Sequence, residues 1–182
     1  FAFGRVARPR HALALVHRMI YEVDRDGLID LRLLLAEVVE QMHRGASGDQ
    51  RKLKLRVDVP PYDIDADLAI PLALFTIEAL TNVYKHGYPN DEGGDGTISV
   101  KLEPHALSHM KLSVVDDGRG PSTAEEASAQ STGTRLMTAL AHQVGGEVST
   151  HARDGGGTIV EMVFPQNGNR SSAAVIQAAA AS

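Results

Sequence analysis

Apolar positions along this chain shift between two spacings, and each shift marks a boundary. From Arg8 to Met42 they recur every three or four residues: Leu13, Val16 and Ile20, then Leu31, Leu34, Leu35, Val38, Val39 and Met42. That spacing predicts two helices, each with one apolar face. Val23-Asp24-Arg25-Asp26-Gly27 separates them, with Gly27 as a stop signal and Asp30 as an N-cap for the second helix. Arg44-Gly45-Ala46-Ser47-Gly48-Asp49 is polar and carries glycine, so it reads as a linker. Past it, Leu53, Leu55, Val57 and Val59 alternate with charged residues, as in a half-buried strand ended by Pro60 and Pro61. Asp67–His86 returns to helical spacing through Ile70, Leu74, Ile77 and Leu80, and Gly87 with Pro89 closes it. Alternation resumes in Thr97–Leu102, Leu112–Val115 and Thr158–Phe164, with a shorter stretch near Glu147–His151 and one further helix over Arg135–Val144. Strands and helices mix without a strict βαβ repeat. The expected fold class is therefore α+β, with helices on one face of an antiparallel or mixed sheet.

Composition removes several function classes. A chain of 182 residues has room for one good core and a small helical extension. No apolar run approaches the roughly 20 residues that cross a bilayer, and the start, Phe1-Ala2-Phe3-Gly4-Arg5, has no apolar signal core. No membrane segment is expected. Zero cysteines rule out a disulfide framework, thiolate catalysis and a zinc ribbon, and fit a reducing cytoplasm. A net charge of −5, no Trp and few aromatics speak against a nucleic-acid surface. The chain does not begin with Met, so it is expected to be a fragment with further functions upstream.

Four stretches carry candidate chemistry. On a helix Glu78, Asn82, Lys85 and His86 share roughly one face, gathering a carboxylate, an amide oxygen, a cation and an imidazole. Such groups suit a hard cation and polyphosphate, although a solvated polar face would look the same. Asp116-Asp117-Gly118-Arg119-Gly120 follows a strand. A carboxylate there can accept from an exocyclic amine, and the glycines let backbone approach a ligand. An ordinary Asp-Gly turn has the same short signature. Ser131-Thr132-Gly133-Thr134 opens a helix whose free N–H groups can cradle phosphate or simply be capped. Before it, Pro121–Gln130 has the composition of a mobile lid or an idle loop. Gly155-Gly156-Gly157-Thr158 leads into the last strand and, taken alone, reads as a glycine hairpin.

The order and spacing of all four together resemble the GHKL ATPases, the superfamily of histidine kinases, type II topoisomerases, Hsp90 and MutL. The resemblance covers about Leu53 to Pro165 and is nearest to sensor histidine kinases of the HisKA_2/HWE-like type. Thr81-Asn82-x-x-Lys85-His86-x-x-Pro89 and Ala69-Ile70-Pro71-Leu72 carry it. So does Arg10–Tyr21, which looks like the second helix of a dimerisation hairpin, with Ile29-Asp30-Leu31 starting the connecting helix. The resemblance implies a Bergerat ATP-binding fold, a two-layer sandwich, over 50–166. A helical remnant would precede it over 1–44, and an Ala/Ser-rich tail would follow over 167–182. It also implies ATP and Mg²⁺ as ligands, transfer of the γ-phosphate to a histidine, relay to a response regulator, a homodimer through the N-terminal helix, and a bacterial cytoplasmic setting.

Residue by residue, the resemblance implies that Asn82 ligates Mg²⁺ and that Glu78 orients groups near the γ-phosphate or acts as base. Lys85 and His86 touch phosphates or ribose. Asp116 reads the adenine amine, while Gly118 and Gly120 shape the pocket floor. Gly133 and Thr134 meet phosphates, and Thr158 lies near the adenine. Two positions depart from the family pattern: Ser131 stands where many relatives have glycine, and Ile77 where Asn is frequent. The phosphoacceptor box is expected upstream of residue 1. His11 and His17 are six residues apart, about 240° around a helix, and are poor candidates for that role. The alternatives are a non-catalytic relative acting as phosphotransfer protein or phosphatase, and a serine kinase of the anti-sigma-factor type.

Overall fold

Asp30 starts the first fully described helix: its carboxylate accepts from the N–H of Arg32 at 2.9 Å and of Leu33 at 3.3 Å. This helix, α1 (Leu31–Ala46), follows the short strand β1 (Ile29–Asp30). The computed structural model describes residues 14, 16, 27–46, 53–88, 95–106, 108–120 and 132–166. Of the expected first helix, only Ala14 and Val16 are described, both helical, and Val16 is buried. The remainder of that segment, with His11 and His17, lies outside the described residues, as do the expected lid Pro121–Gln130, Ser131 and the tail beyond Gln166.

After α1 come β2 (Leu53–Asp58), β3 (Asp63–Ile64) and α2 (Ala66–Asn82), which runs on into a π-helical turn at Val83–Gly87. Then follow β4 (Gly96–His105), β5 (His109–Asp116), α3 (Thr132–Gln143), β6 (Glu147–Ala152) and β7 (Thr158–Pro165). The five longer strands form one sheet in the order β2-β4-β5-β7-β6. It is mixed: β2 runs parallel to β4, and the other neighbours are antiparallel. A parallel pair needs a long crossover, and the stretch holding β3 and α2 supplies it. β1 and β3 form a separate antiparallel pair, Ile29 opposite Ile64, which ties the start of α1 to the start of α2.

The fold is thus α+β, with α1, α2 and α3 over one face of a mixed sheet. α2 lies in the middle and packs against both α1 and α3. Its start is capped by Asp65, which accepts from Leu68 N–H at 2.9 Å. Leu72, Phe75, Ala79 and Leu80 are fully buried against Ile98, Val100, Leu112 and Val114 of the sheet. Each of the Leu, Phe, Ile and Val side chains among them contributes about 1.5–3 kcal/mol of burial. Thr76 and Thr81 tolerate the core because their hydroxyls donate back to the carbonyls of Leu72 and Ile77 at 2.8 and 2.7 Å. Ala66–Gly87 is long and apolar enough by composition to cross a membrane, contrary to the reading of the bare sequence. Its most apolar stretch is 67 % buried inside the fold, so that surface already faces the core.

Candidate functional site

β5 ends in Asp116, whose side chain is buried to 1 % exposure below the loop that follows. Its Oδ1 accepts from Gly118 N–H at 2.9 Å. The N–H and hydroxyl of Thr158, the first residue of β7, also face the carboxylate. Burial pushes the Asp116 carboxyl above its ordinary value; the donors on Gly118 and Thr158 pull it back only in part. Oδ2 is buried and has no hydrogen-bond partner among the described residues. A buried carboxylate oxygen with an open lone pair is costly and calls for a donor.

Backbone walls this carboxylate in. A Cβ on Gly87 would sit 3.2 Å from Asp116 Oδ1. One on Gly118 would overlap the Gly87 carbonyl oxygen, and one on Gly157 would overlap the Asp116 carbonyl oxygen. At Gly120 a Cβ would come 2.7 Å from Gly157 O. Arg119 N–H donates to Gly87 O at 2.7 Å, which fastens the end of the α2 extension to the loop after β5. Gly157, at φ +97°, adopts a conformation that L side chains avoid. The glycine run before β7 is therefore both the expected hairpin and a wall of the pocket.

From Gly87 the helix leads back to the other candidates. Asn82 lies five residues upstream, roughly 7 Å along the axis, and Glu78 another 6 Å or so beyond it. Asn82 and Glu78 are both half-buried. The Glu78 carboxylate reaches the first turn of α3, where a Cβ on Gly133 would overlap its Oε1. One helix thus touches Asp116 with its C-terminal end and α3's N-terminus with a residue two turns earlier. Thr134 is half-buried one residue further along α3. Lys85 and His86 are exposed and sit in the π-helical turn, where hydrogen bonds close i→i+5. The regular helical spacing used to place them beside Glu78 and Asn82 ends at that turn.

The neighbouring carboxylate, Asp117, has a different environment. It is exposed, and its Oδ1 accepts from the Tyr88 hydroxyl and from Thr97 N–H, both at 2.7 Å. Burial alone would raise it, but these donors and the charge of Arg153 hold it below the usual carboxylate range. Burial first, then the bond to Asp117, push the Tyr88 hydroxyl above its ordinary value. Asp117, Tyr88, Gly87 and Gly157 were not among the site residues expected from sequence. The glycines that close the helix and precede β7 were the available signal.

Comparison with known proteins shows the family and the fold. Residues 67–168 match the family described as HATPase_c, the histidine kinase-, DNA gyrase B- and HSP90-like ATPases. The chain belongs to that family, a class of ATP-binding domains. Among curated proteins it is 25 % identical to blue-light-activated histidine kinase 2 of Erythrobacter litoralis, over 90 % of this chain and 47 % of that protein. It is 24 % identical to the sensor protein NarQ homolog of Haemophilus influenzae, over 89 % of this chain and 26 % of that protein. The chain therefore spans about half, or less, of the curated relatives it matches. Among solved structures, the histidine kinase domain of the E. litoralis EL346 blue-light-activated kinase superposes with a TM-score of 0.72 at 23 % identity. That likeness covers 91 % of this chain and 76 % of the other. The mycobacterial sensor histidine kinase MprB gives 0.56 at 21 % identity, over 76 % and 97 %. At these identities the structural likeness shows the fold.

The residues fit an adenine nucleotide. The open Asp116 oxygen meets the need of an exocyclic amine. A cation at Asn82 fits less completely. No cluster of three or more His, Cys, Asp or Glu suited to a metal occurs among the described residues. A Mg²⁺ held there would take most of its oxygen ligands from phosphates and water, as that ion commonly does.

Proposed function

We propose that this chain is the catalytic ATP-binding domain of a two-component sensor histidine kinase of the HisKA_2/HWE-like type. The observation that carries the reading is the span of a single helix. At Gly87 it meets a buried carboxylate whose Oδ2 has no partner among the described residues, and at Glu78 it meets the N-terminus of α3. The names of the two curated relatives, one a histidine kinase and the other a sensor protein, support it.

In this reading Asp116 accepts the adenine amine, and Thr158 keeps the carboxylate oriented. Asn82 ligates Mg²⁺, Lys85 and His86 face phosphates or ribose, and the start of α3 at Gly133 and Thr134 offers N–H groups to phosphate oxygens. Gly118 and Gly120 form the floor. Glu78 lies where it can orient the attacking imidazole or take its proton. When bound, Mg-ATP supplies the transferable phosphoryl group; the protein's part is alignment and charge neutralisation. The acceptor histidine belongs to another segment, with 1–44 as the remnant of the dimerisation and connecting helices, 50–166 as the catalytic domain and 167–182 as a tail. A response regulator as phosphate acceptor, a homodimer through the N-terminal helix and a bacterial cytoplasmic setting complete the reading.

Titrating a fluorescent ATP analogue with and without Mg²⁺ tests it. Saturable binding is expected, tighter with Mg²⁺. Asp116→Asn should lose about 10- to 100-fold in affinity, the cost of a lost hydrogen bond to a charged group. Asn82→Ala should lose the Mg²⁺ dependence. If the parent chain does not bind, the reading gives way to that of a relative that keeps the fold without using ATP.

A further inference from the structure

We infer that Tyr88 and Asp117 form a latch that sets the spacing between the two ends of the nucleotide site, which makes both of them positioning residues. This inference rests on the nucleotide reading above.

Asp117 follows the adenine-reading carboxylate directly, yet it turns away from the pocket and binds the protein itself. Its Oδ1 takes the Tyr88 hydroxyl and Thr97 N–H at 2.7 Å each. The same hydroxyl lies 3.1 Å from Thr97 O and accepts from Asp117 N–H at 3.3 Å. Asp117 N–H also reaches Thr97 O at 3.2 Å. Three segments meet at this point: the chain leaving α2, the start of β4 and the loop after β5. The Tyr88 ring is seated because residue 96 is glycine; a Cβ there would overlap the ring.

What the latch holds is the π-helical turn. A π turn is rare and occurs mostly as a single-turn bulge within an α-helix, frequently at functional sites. Tyr88 is the first residue after it, and Asn82 the last before it. With Tyr88 fixed to β4 and β5, the wide turn is the path that the chain must take. Gly87 is then pressed against Asp116 and Gly118, while Asn82, Lys85 and His86 keep a set distance from that carboxylate. Freed from the latch, the turn can tighten to α geometry, which rotates Lys85 and His86 and draws Gly87 away. Asp116 would stay in place, because Gly118 and Thr158 hold it independently.

Loss of the latch should therefore weaken ligands that engage both ends and spare those that engage only one. The test measures MgADP by calorimetry and adenosine by ligand-observed NMR on the whole chain. Tyr88→Phe keeps the ring and removes the hydroxyl; Asp117→Ala removes the acceptor; Asp117→Asn keeps an oxygen for both donors. MgADP affinity should fall about tenfold in Tyr88→Phe and in Asp117→Ala, with no further loss in the double variant. Adenosine affinity should stay within about twofold of the parent, and Asp117→Asn should restore MgADP binding to within about threefold. Equal losses for both ligands would mean general loosening and overturn the inference. So would MgADP binding within about twofold of the parent in Tyr88→Phe. If Asp117→Ala fails to fold by circular dichroism, Tyr88→Phe decides alone. A parent chain that bound neither ligand would sink the nucleotide reading first and the latch with it, an outcome distinct from a binding parent with indifferent variants.

Discussion

At Asp116 the proposed site is made of backbone packed on backbone, whereas at Asn82, Lys85 and His86 it would be made of side chains on a helix end. The first region buries a carboxylate among Gly87, Gly118 and Gly157, the last two too close to neighbouring backbone to carry a Cβ. The second is half-buried or exposed and includes no such interlock apart from Glu78 against Gly133. Rigid backbone suits recognition of a ring of fixed shape, where small displacements abolish the fit. Longer, exposed side chains suit a charged, flexible chain of phosphates whose position is completed by a cation. The contrast teaches that one site can be preorganised at its recognition end and assembled by its ligand at the reactive end.

Glycine substitutions should show the largest difference. Gly157→Ala forces a Cβ onto the Asp116 carbonyl oxygen at φ +97°. It should cost about 3 kcal/mol in urea denaturation and remove nucleotide binding. Gly155, two residues earlier, has a similar φ of +85° with nothing within 4 Å of the added atom. Gly155→Ala should cost only about 1 kcal/mol and leave binding intact. Equal costs at the two positions would remove the backbone wall from the account.

A smaller effect separates the two carboxylates. Burial raises the folded-state value of Asp116, so its contribution to stability is present below its unfolded value of about 3.9 and is lost as pH rises through the raised folded value. At neutral pH the nucleotide-free protein carries that cost. Asp116→Asn should accordingly raise nucleotide-free stability at pH 7 by about 1 kcal/mol while weakening nucleotide binding, and the gain should vanish below about pH 4. Asp117 has the opposite sign: its folded-state value is depressed. Its contribution is present above about pH 4 and disappears as pH falls through the depressed value. A pH series of denaturation curves on the parent and Asp116→Asn checks the first claim. A neutral-pH loss in Asp116→Asn would contradict it.

Much of the fold was legible in the alternation of apolar and polar residues. β4, β5 and β7 lie where Thr97–Leu102, Leu112–Val115 and Thr158–Phe164 alternate, the first two extended by a few residues and the last by Pro165 alone. Asp30 caps α1 as its position suggested. β1 and β3 were not legible, because two residues cannot express a period. The parallel pairing of β2 with β4 escaped too, since pairing partners far apart in sequence leave no local signal. α3 begins at Thr132 instead of Arg135, within the Ser/Thr/Gly stretch that had been read as its approach. For the proposed site, the sequence offered residue types and their order, while the packing around them was not legible. Nothing in Asp116-Asp117 tells which carboxylate is buried open and which is bound by Tyr88 and Thr97. The π turn after Asn82 is equally hidden, because it depends on where Tyr88 is fastened.

The central claim is that Asp116 and Asn82 address one nucleotide from opposite ends of a single helix span. Backbone amide NMR of the whole chain during a MgADP titration tests it directly. Resonances of Asp116, Gly118 and Gly157 should move together with those of Asn82, Gly133 and Thr134, along curves that share one dissociation constant. Movement confined to one group, or two groups saturating at different concentrations, would contradict it.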